Sequence, residues 1–448
     1  MNRLLDLAIT QVPVVSVVYA VALVAVVLLV VRRPNGRWTR GRWLANAALA
    51  ATAGALVGLG LTWLLSDRLD LFGAALTQVV RVWIAAGCAA AAIAIVSLLV
   101  ALRRASWMRA IASALALVLF AIATATAVNV DFGQYPTVRS VLGISAIPDE
   151  STQPLPTTAL SPAPRAAQPS IGDWVAPATM PKTGTLTAVA IPASESGFAA
   201  RPAIVYLPPA ALTADPPNLP VLIMLSGQPG SPQDPLVTNK LQQALDAYAA
   251  GHDGLAPIVV SPDQLGDPTD NPMCVDSSLG NSQSYLTIDV ANWIRANLNV
   301  IDDPHYWGIG GLSQGGTCSI QLGAGFPNLF GVILDASGEE YPRIGDAQKT
   351  ADAAFGGSLA RYEAAYPAAI MRQHAPYADT FAVFGVGSND TAFLPQVKAI
   401  YADAQAAGMT STYLEAEGSA HDVTTWSYVF SQGLQLIADH WKLAGSAG

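Results

Sequence analysis

Ser313 stands between glycines in Gly311-Leu312-Ser313-Gln314-Gly315, a G-x-S-x-G pentapeptide. The pattern is weak by itself, so its surroundings carry the weight. A short apolar run through Ile309 reads as a strand, and a helix is expected from about Gln314. Strand, sharp turn and helix lift a serine hydroxyl clear of a sheet edge, the nucleophile-elbow arrangement. A Gly-rich turn with a helix-capping serine is the competing reading.

A serine hydroxyl is a poor nucleophile until a base takes its proton. Of five histidines, His421 fits best, in a loop between a strand and a helix within "STYLEAEGSAHDVTTWSYVF". His252 and His305 lie in polar turns, His374 near a helix end and His440 in the terminal helix. An acid should orient the imidazole, and "FAVFGVGSNDTAFLP" places Asp390 just past a strand. Asp390 could instead cap a helix starting at Thr391, and Asp335 in "ILDASGEE" is the rival acid because it also ends a strand. An oxyanion needs two backbone N–H donors. Gln314 is expected to supply one, and the turn "LSGQPGS" the other through Gln228, with Gly227 and Gly230 allowing close approach.

These residues need a sheet whose strands end together. "GTLTAVAIP" and "RPAIVYLPP" read as paired strands. Short apolar runs at 221–225 and 257–260, around "YWGIG", and at "FGVILDAS" and "FAVFGVG" read as strands buried on both faces. Helical patterns such as "SYLTIDVANWIRANL" and "TAFLPQVKAIYADAQAAG" separate them, which implies a mostly parallel sheet with helices on both faces.

The N-terminal part is different. Hydrophobic residues make up 52% of the 448-residue chain and charged residues only 12%, with the apolar excess in four runs at 14–31, 44–65, 82–102 and 110–128. Each is long enough to cross a bilayer and none has a polar face, so four transmembrane helices are expected. The first and third connections carry five and three arginines, whereas the middle one holds Asp67 and Asp70 against Arg68. Positive loops stay cytoplasmic, so both termini and everything beyond the fourth span should be extracytoplasmic. Gly54 and Gly58 form a GxxxG spacing that suits helix packing. The expected domains are a membrane region over 1–130, a Pro/Ser/Thr/Ala-rich linker over 131–180 and an α/β domain over 181–448.

A net charge of −9 argues against nucleic acid as a partner. The expected partners are an acyl ester or lipid substrate and the bilayer itself. No cofactor is expected, nor a metal, since no His/Cys/Asp cluster has suitable spacing. Cys88 reads as a small apolar residue of the third span. Cys274 and Cys318 would share an oxidising compartment, which permits a disulfide between them; two separate buried thiols is the alternative.

Four stretches, "SYLTIDVANWIRANLNV", "GGLSQGG", "FPNLFGVILDASG" and "GSAHDVTTWSY", resemble the esterase D family of α/β-hydrolases, which includes the mycolyltransferases. The resemblance covers the second half of the chain and not its membrane part. It implies an α/β-hydrolase fold and acyl-ester hydrolysis or transfer through an acyl-enzyme, with Ser313 as nucleophile, Asp390 as acid and His421 as base. The chain departs from the mycolyltransferase pattern at Ser226-Gly227, where Asp-Gly is usual, at Gln314, where Met is usual, and in having Asp rather than Glu as the acid. A catalytically inactive hydrolase-fold scaffold for envelope assembly is the alternative reading.

Overall fold

The computed structural model describes residues 2–32, 39–69, 76–145, 147–149 and 171–443. The chain forms two compact units, Met1–Ser145 and Ala146–Gly448.

In the first unit, helices α1 (Val12–Val31), α2 (Arg40–Thr62), α3 (Gln78–Arg103) and α4 (Trp107–Phe132) are each long and apolar enough to cross a membrane. Polar residues begin them ahead of the apolar runs: Thr39 and Thr77 accept the N–H groups of Arg42 and Val80 through their hydroxyls. The GxxxG glycines face α3 directly. A methyl on Gly58 would lie 2.8 Å from the Cα of Ala85, and one on Gly54 2.9 Å from that of Ala89, so only glycine lets these backbones approach. The connecting residues 33–38 and 70–75 lie outside the described residues.

The second unit is built on eight strands: β1 (Thr185–Val189), β2 (Ala203–Leu207), β3 (Val221–Leu225), β4 (Ile258–Ser261), β5 (Trp307–Leu312), β6 (Val332–Ala336), β7 (Phe381–Gly387) and β8 (Thr410–Ala416). They lie in the order β1-β2-β4-β3-β5-β6-β7-β8. Only β2 runs against its neighbours; all other pairs are parallel. The inner strands are uncharged apart from Asp335 and buried along their length, because helices cover both faces. The helices of this unit are α5 (Leu241–Ala250), α6 (Val290–Asn297), α7 (Gln314–Gly325), α8 (Ala347–Ala354), α9 (Leu359–Ala364), α10 (Pro367–His374), α11 (Leu394–Ala406) and α12 (Val423–His440), of which α7, α11 and α12 pack directly on the central strands. Large side chains such as Trp307, Phe330, Phe384 and Phe430 are sealed between the layers. Each such burial contributes roughly 1.5–3 kcal/mol.

Register brings the functional ends together. Leu225 pairs with Gly311, Leu312 with Ala336, Ala336 with Gly385, and Gly387 with Ala416. The loops that follow β3, β5, β7 and β8 therefore leave one edge of the sheet side by side.

Two expectations need correction at the level of residues. The helix expected from Thr391 begins at Leu394, because Asp390 Oδ1 accepts the Phe393 N–H at 3.2 Å and holds the turn before it. The linker expected over 131–180 is narrower at both ends. α4 continues to Phe132, and Trp174 is buried in the core of the second unit, its indole N–H donating to the Asp253 carbonyl at 2.9 Å. Residues 150–170, the Pro-rich part, lie outside the described residues.

Candidate active site

Ser313 occupies the turn between β5 and α7 with φ +53° and ψ −119°, a conformation that costs an L-residue of order 1–3 kcal/mol. The surroundings hold it there. Its N–H donates to the Ala336 carbonyl at 2.8 Å, and its carbonyl accepts the Thr317 N–H at 3.0 Å. A side chain on Gly311 would collide with the Gly315 carbonyl, and one on Gly315 with that of Ser226. The turn closes only because both positions lack a Cβ. The serine itself is half-buried, so its hydroxyl can be reached.

His421 follows β8 and points back at this hydroxyl. Its Nε2 lies 3.0 Å from Ser313 Oγ, and its Nδ1 lies 2.9 Å from Asp390 Oδ2. With the proton on Nδ1 donated to the carboxylate, Nε2 is free to accept from the serine. The loops carrying Asp390 and His421 are laced together: the Asn389 N–H donates to the Ser419 carbonyl at 2.8 Å and the Ser388 N–H to the Ala416 carbonyl at 3.0 Å. Phe393 stacks on the imidazole with centroids 3.9 Å apart, and Trp426 meets it edge-on at 5.1 Å. Asp422 accepts the N–H groups of Thr424 and Thr425, fixing the start of α12 beside His421. Asp390 thus places one oxygen on the Phe393 N–H, in the turn before α11, and the other on the histidine.

Asp335 is placed elsewhere. It is fully buried at the end of β6, and its Oδ1 accepts the Gly338 N–H at 2.8 Å. Oδ2 has no hydrogen-bond partner among the described residues. Burial pushes this carboxyl up to about 7. Three other histidines are engaged elsewhere: His440 stacks on Phe381, the first residue of β7, and tilts against His305, while His252 stacks on Tyr248.

The Gln314 N–H is the first of α7 and has no helical carbonyl behind it to receive it. The turn bearing Gln228 abuts the serine from β3; a methyl on Gly227 would lie 3.5 Å from the Ser313 Cβ. The turn is pinned by the Gly230 N–H on Pro268 at 3.0 Å and by Gln228 Nε2 on Thr269 at 2.7 Å. Cys274 and Cys318 are joined by a disulfide that ties the loop after β4 to α7. Among the described residues no cluster of three or more His, Cys, Asp or Glu is placed to hold a metal. Sequence reasoning passed over Gln264, Asn271, Phe393 and Trp426. "FLP" just past Asp390 was the one usable signal among them, an aromatic beside the acid.

The fold is that of the α/β-hydrolase class, with Ser313, His421 and Asp390 within hydrogen-bond reach along one line. A family model described as "Putative esterase" matches residues 197–442, and the chain belongs to that esterase family. An uncharacterised protein of Corynebacterium glutamicum is 33% identical over 317 residues, covering 67% of this chain and 74% of that protein. Among solved structures the chain is similar to an S-formylglutathione hydrolase from Agrobacterium tumefaciens (16% identity, 58% of this chain and 96% of that one, TM-score 0.48). It is also similar to a fluorophosphonate-binding serine hydrolase of Staphylococcus aureus (16%, 57% and 98%, TM-score 0.45). A third is MPT51 of Mycobacterium tuberculosis (16%, 57% and 98%, TM-score 0.41).

Proposed function

We propose that the protein is a membrane-anchored serine esterase or acyltransferase that works through an acyl-enzyme on Ser313. The observation that carries this is the line of hydrogen bonds from Asp390 through His421 to the Ser313 hydroxyl. Ser313 Oγ attacks the acyl carbonyl as His421 Nε2 takes its proton. Asp390 keeps the imidazole in the accepting tautomer and stabilises the imidazolium. The oxyanion of the tetrahedral intermediate sits against the N–H groups of Gln314 and Gln228. When the intermediate collapses, His421 returns the proton to the leaving alcohol. Water or an acceptor hydroxyl, deprotonated by the same histidine, then releases the acyl group.

The four apolar helices fit a multi-pass anchor, and the arginine-rich first and third connections favour a catalytic domain on the extracytoplasmic side. A disulfide beside the site suits an oxidising compartment. An envelope lipid or glycolipid ester is the substrate class that such a location would supply.

The test uses the full chain in detergent, a fluorophosphonate probe and a chain-length series of p-nitrophenyl esters. Labelling and turnover are expected in the wild type and absent in Ser313→Ala. A folded wild type that neither labels nor turns over would favour a scaffold instead. Labelling without turnover points to a transferase that requires its acceptor.

A further inference from the structure

One fully buried side chain joins the two walls of the site and takes no part in proton transfer. Gln264 follows β4 and is 0% exposed. Its Nε2 donates to the Ser226 carbonyl at 2.6 Å and to Gln314 Oε1 at 3.0 Å. Ser226 opens the turn that carries Gln228, and Gln314 carries the other donor. An amide NH2 has two hydrogens, and each wall receives one.

Gln314 extends the link. Its Nε2 donates to Asn271 Oδ1 at 3.1 Å and lies 3.3 Å from Cys318 Sγ, one half of the disulfide. Asn271 in turn accepts the Met273 N–H at 3.1 Å and donates to the Arg343 carbonyl at 3.1 Å. A relay of side-chain amides therefore runs from the oxyanion turn, beneath the first turn of α7, to the loop tied down by Cys274. Buried polar groups carry a penalty when unpaired, so each member specifies the position of the next.

We propose that Gln264 is a positioning residue whose amide sets the separation between the N–H groups of Gln228 and Gln314. This rests on the reading of Ser313 as nucleophile. Both donors must lie about 2.7–3.1 Å from the place the oxyanion takes up, a place occupied only as the tetrahedral intermediate forms. Losing the clasp should therefore act on kcat and leave KM alone.

The experiment compares wild type, Gln264→Met and Gln264→Met/Gln314→Met as full chains in detergent, with Ser313→Ala as control. Each is read by p-nitrophenyl butyrate turnover, by affinity for a trifluoromethyl ketone and by thermal unfolding. The ketone forms a hemiketal oxyanion with Ser313 and so reports on the donors directly. Gln264→Met should lose about 10- to 100-fold in kcat, part of what a whole donor is worth, with KM within about twofold and ketone affinity falling in step. In the double variant the Gln264–Gln314 pair becomes apolar and similar in size, so the part of the stability lost by leaving Gln314 Oε1 unpaired should return while kcat stays low, the Ser226 carbonyl still lacking its donor. A purely structural Gln264 would have kcat recover with stability, and that result overturns the proposal. Wild-type kcat in Gln264→Met, with turnover still dependent on Ser313, overturns it too. Turnover that survives Ser313→Ala would instead sink the nucleophile itself.

Discussion

A methyl group on Gly387 would lie 2.5 Å from the carbonyl oxygen of Ala420, and equally close to that of Ser419. Gly387 ends the strand that delivers Asp390, and Ala420 precedes His421, so the Asp390 and His421 loops meet at a bare backbone contact. Gly387→Ala must push them apart. We expect kcat to fall at least tenfold and stability to drop by about 1–3 kcal/mol, as overpacked sites do. Ester turnover and thermal unfolding measured together check this; unchanged kcat would mean that the two loops are not held in register here.

Asp390→Asn separates charge from geometry. The amide oxygen can still accept the Phe393 N–H, so the turn should survive. Its NH2 would face His421 Nδ1 and force the imidazole to carry its proton on Nε2, where it cannot accept from Ser313. Turnover should fall by roughly 10⁴-fold with little change in melting temperature. A loss of only a few-fold would point to another acid.

The disulfide closes a loop with a sequence separation of 44, which in the chain-entropy picture is worth about 4 kcal/mol. Cys274→Ala/Cys318→Ala should lower the melting temperature of the hydrolase domain by about 5–10 °C. Wild type unfolded and refolded in reductant should match it. Calorimetry on both, with and without reductant, reads the difference, and equal midpoints would remove the bond from the account of stability.

Asp335 makes stability depend on pH in a direction unusual for a carboxylate. Burial raises its folded pKa to about 7 against an ordinary value of 3.8. Its contribution is therefore complete below pH 3.8 and is lost as pH rises to about 7. Between pH 5 and 8 the loss is on the order of 2–3 kcal/mol. Asp335→Asn cannot ionise, so its stability relative to wild type should improve across that interval. Denaturant unfolding at the two pH values tests it; parallel behaviour of variant and wild type would show that Asp335 does not titrate there.

The strand–helix alternation and the pentapeptide around Ser313 were legible because they are local: apolar runs set strands, and paired glycines mark a turn that leaves no room for Cβ atoms. Asp390 and Asp335 could not be separated by such reasoning, since each ends a parallel strand. What distinguishes them is which loop lies beside each, His421 for one and Gly338 for the other. Gln264 was invisible for a similar reason. Its partners Ser226 and Gln314 are 38 and 50 residues away, and a lone glutamine in a loop has no pattern of its own. The π turn at Tyr285–Asp289, which widens the start of the helix read in "SYLTIDVANWIRANL", left no trace in the apolar spacing either.

Residues 337–380, between β6 and β7, carry α8, α9 and α10 but none of Ser313, Asp390 and His421. This excursion starts and ends on parallel neighbours whose register is fixed by the sheet. Beyond Arg343, whose carbonyl accepts from Asn271, its length and composition can change while β6 and β7 keep their pairing. An insertion or deletion within it leaves the hydrogen-bonded line of Asp390, His421 and Ser313 on other loops.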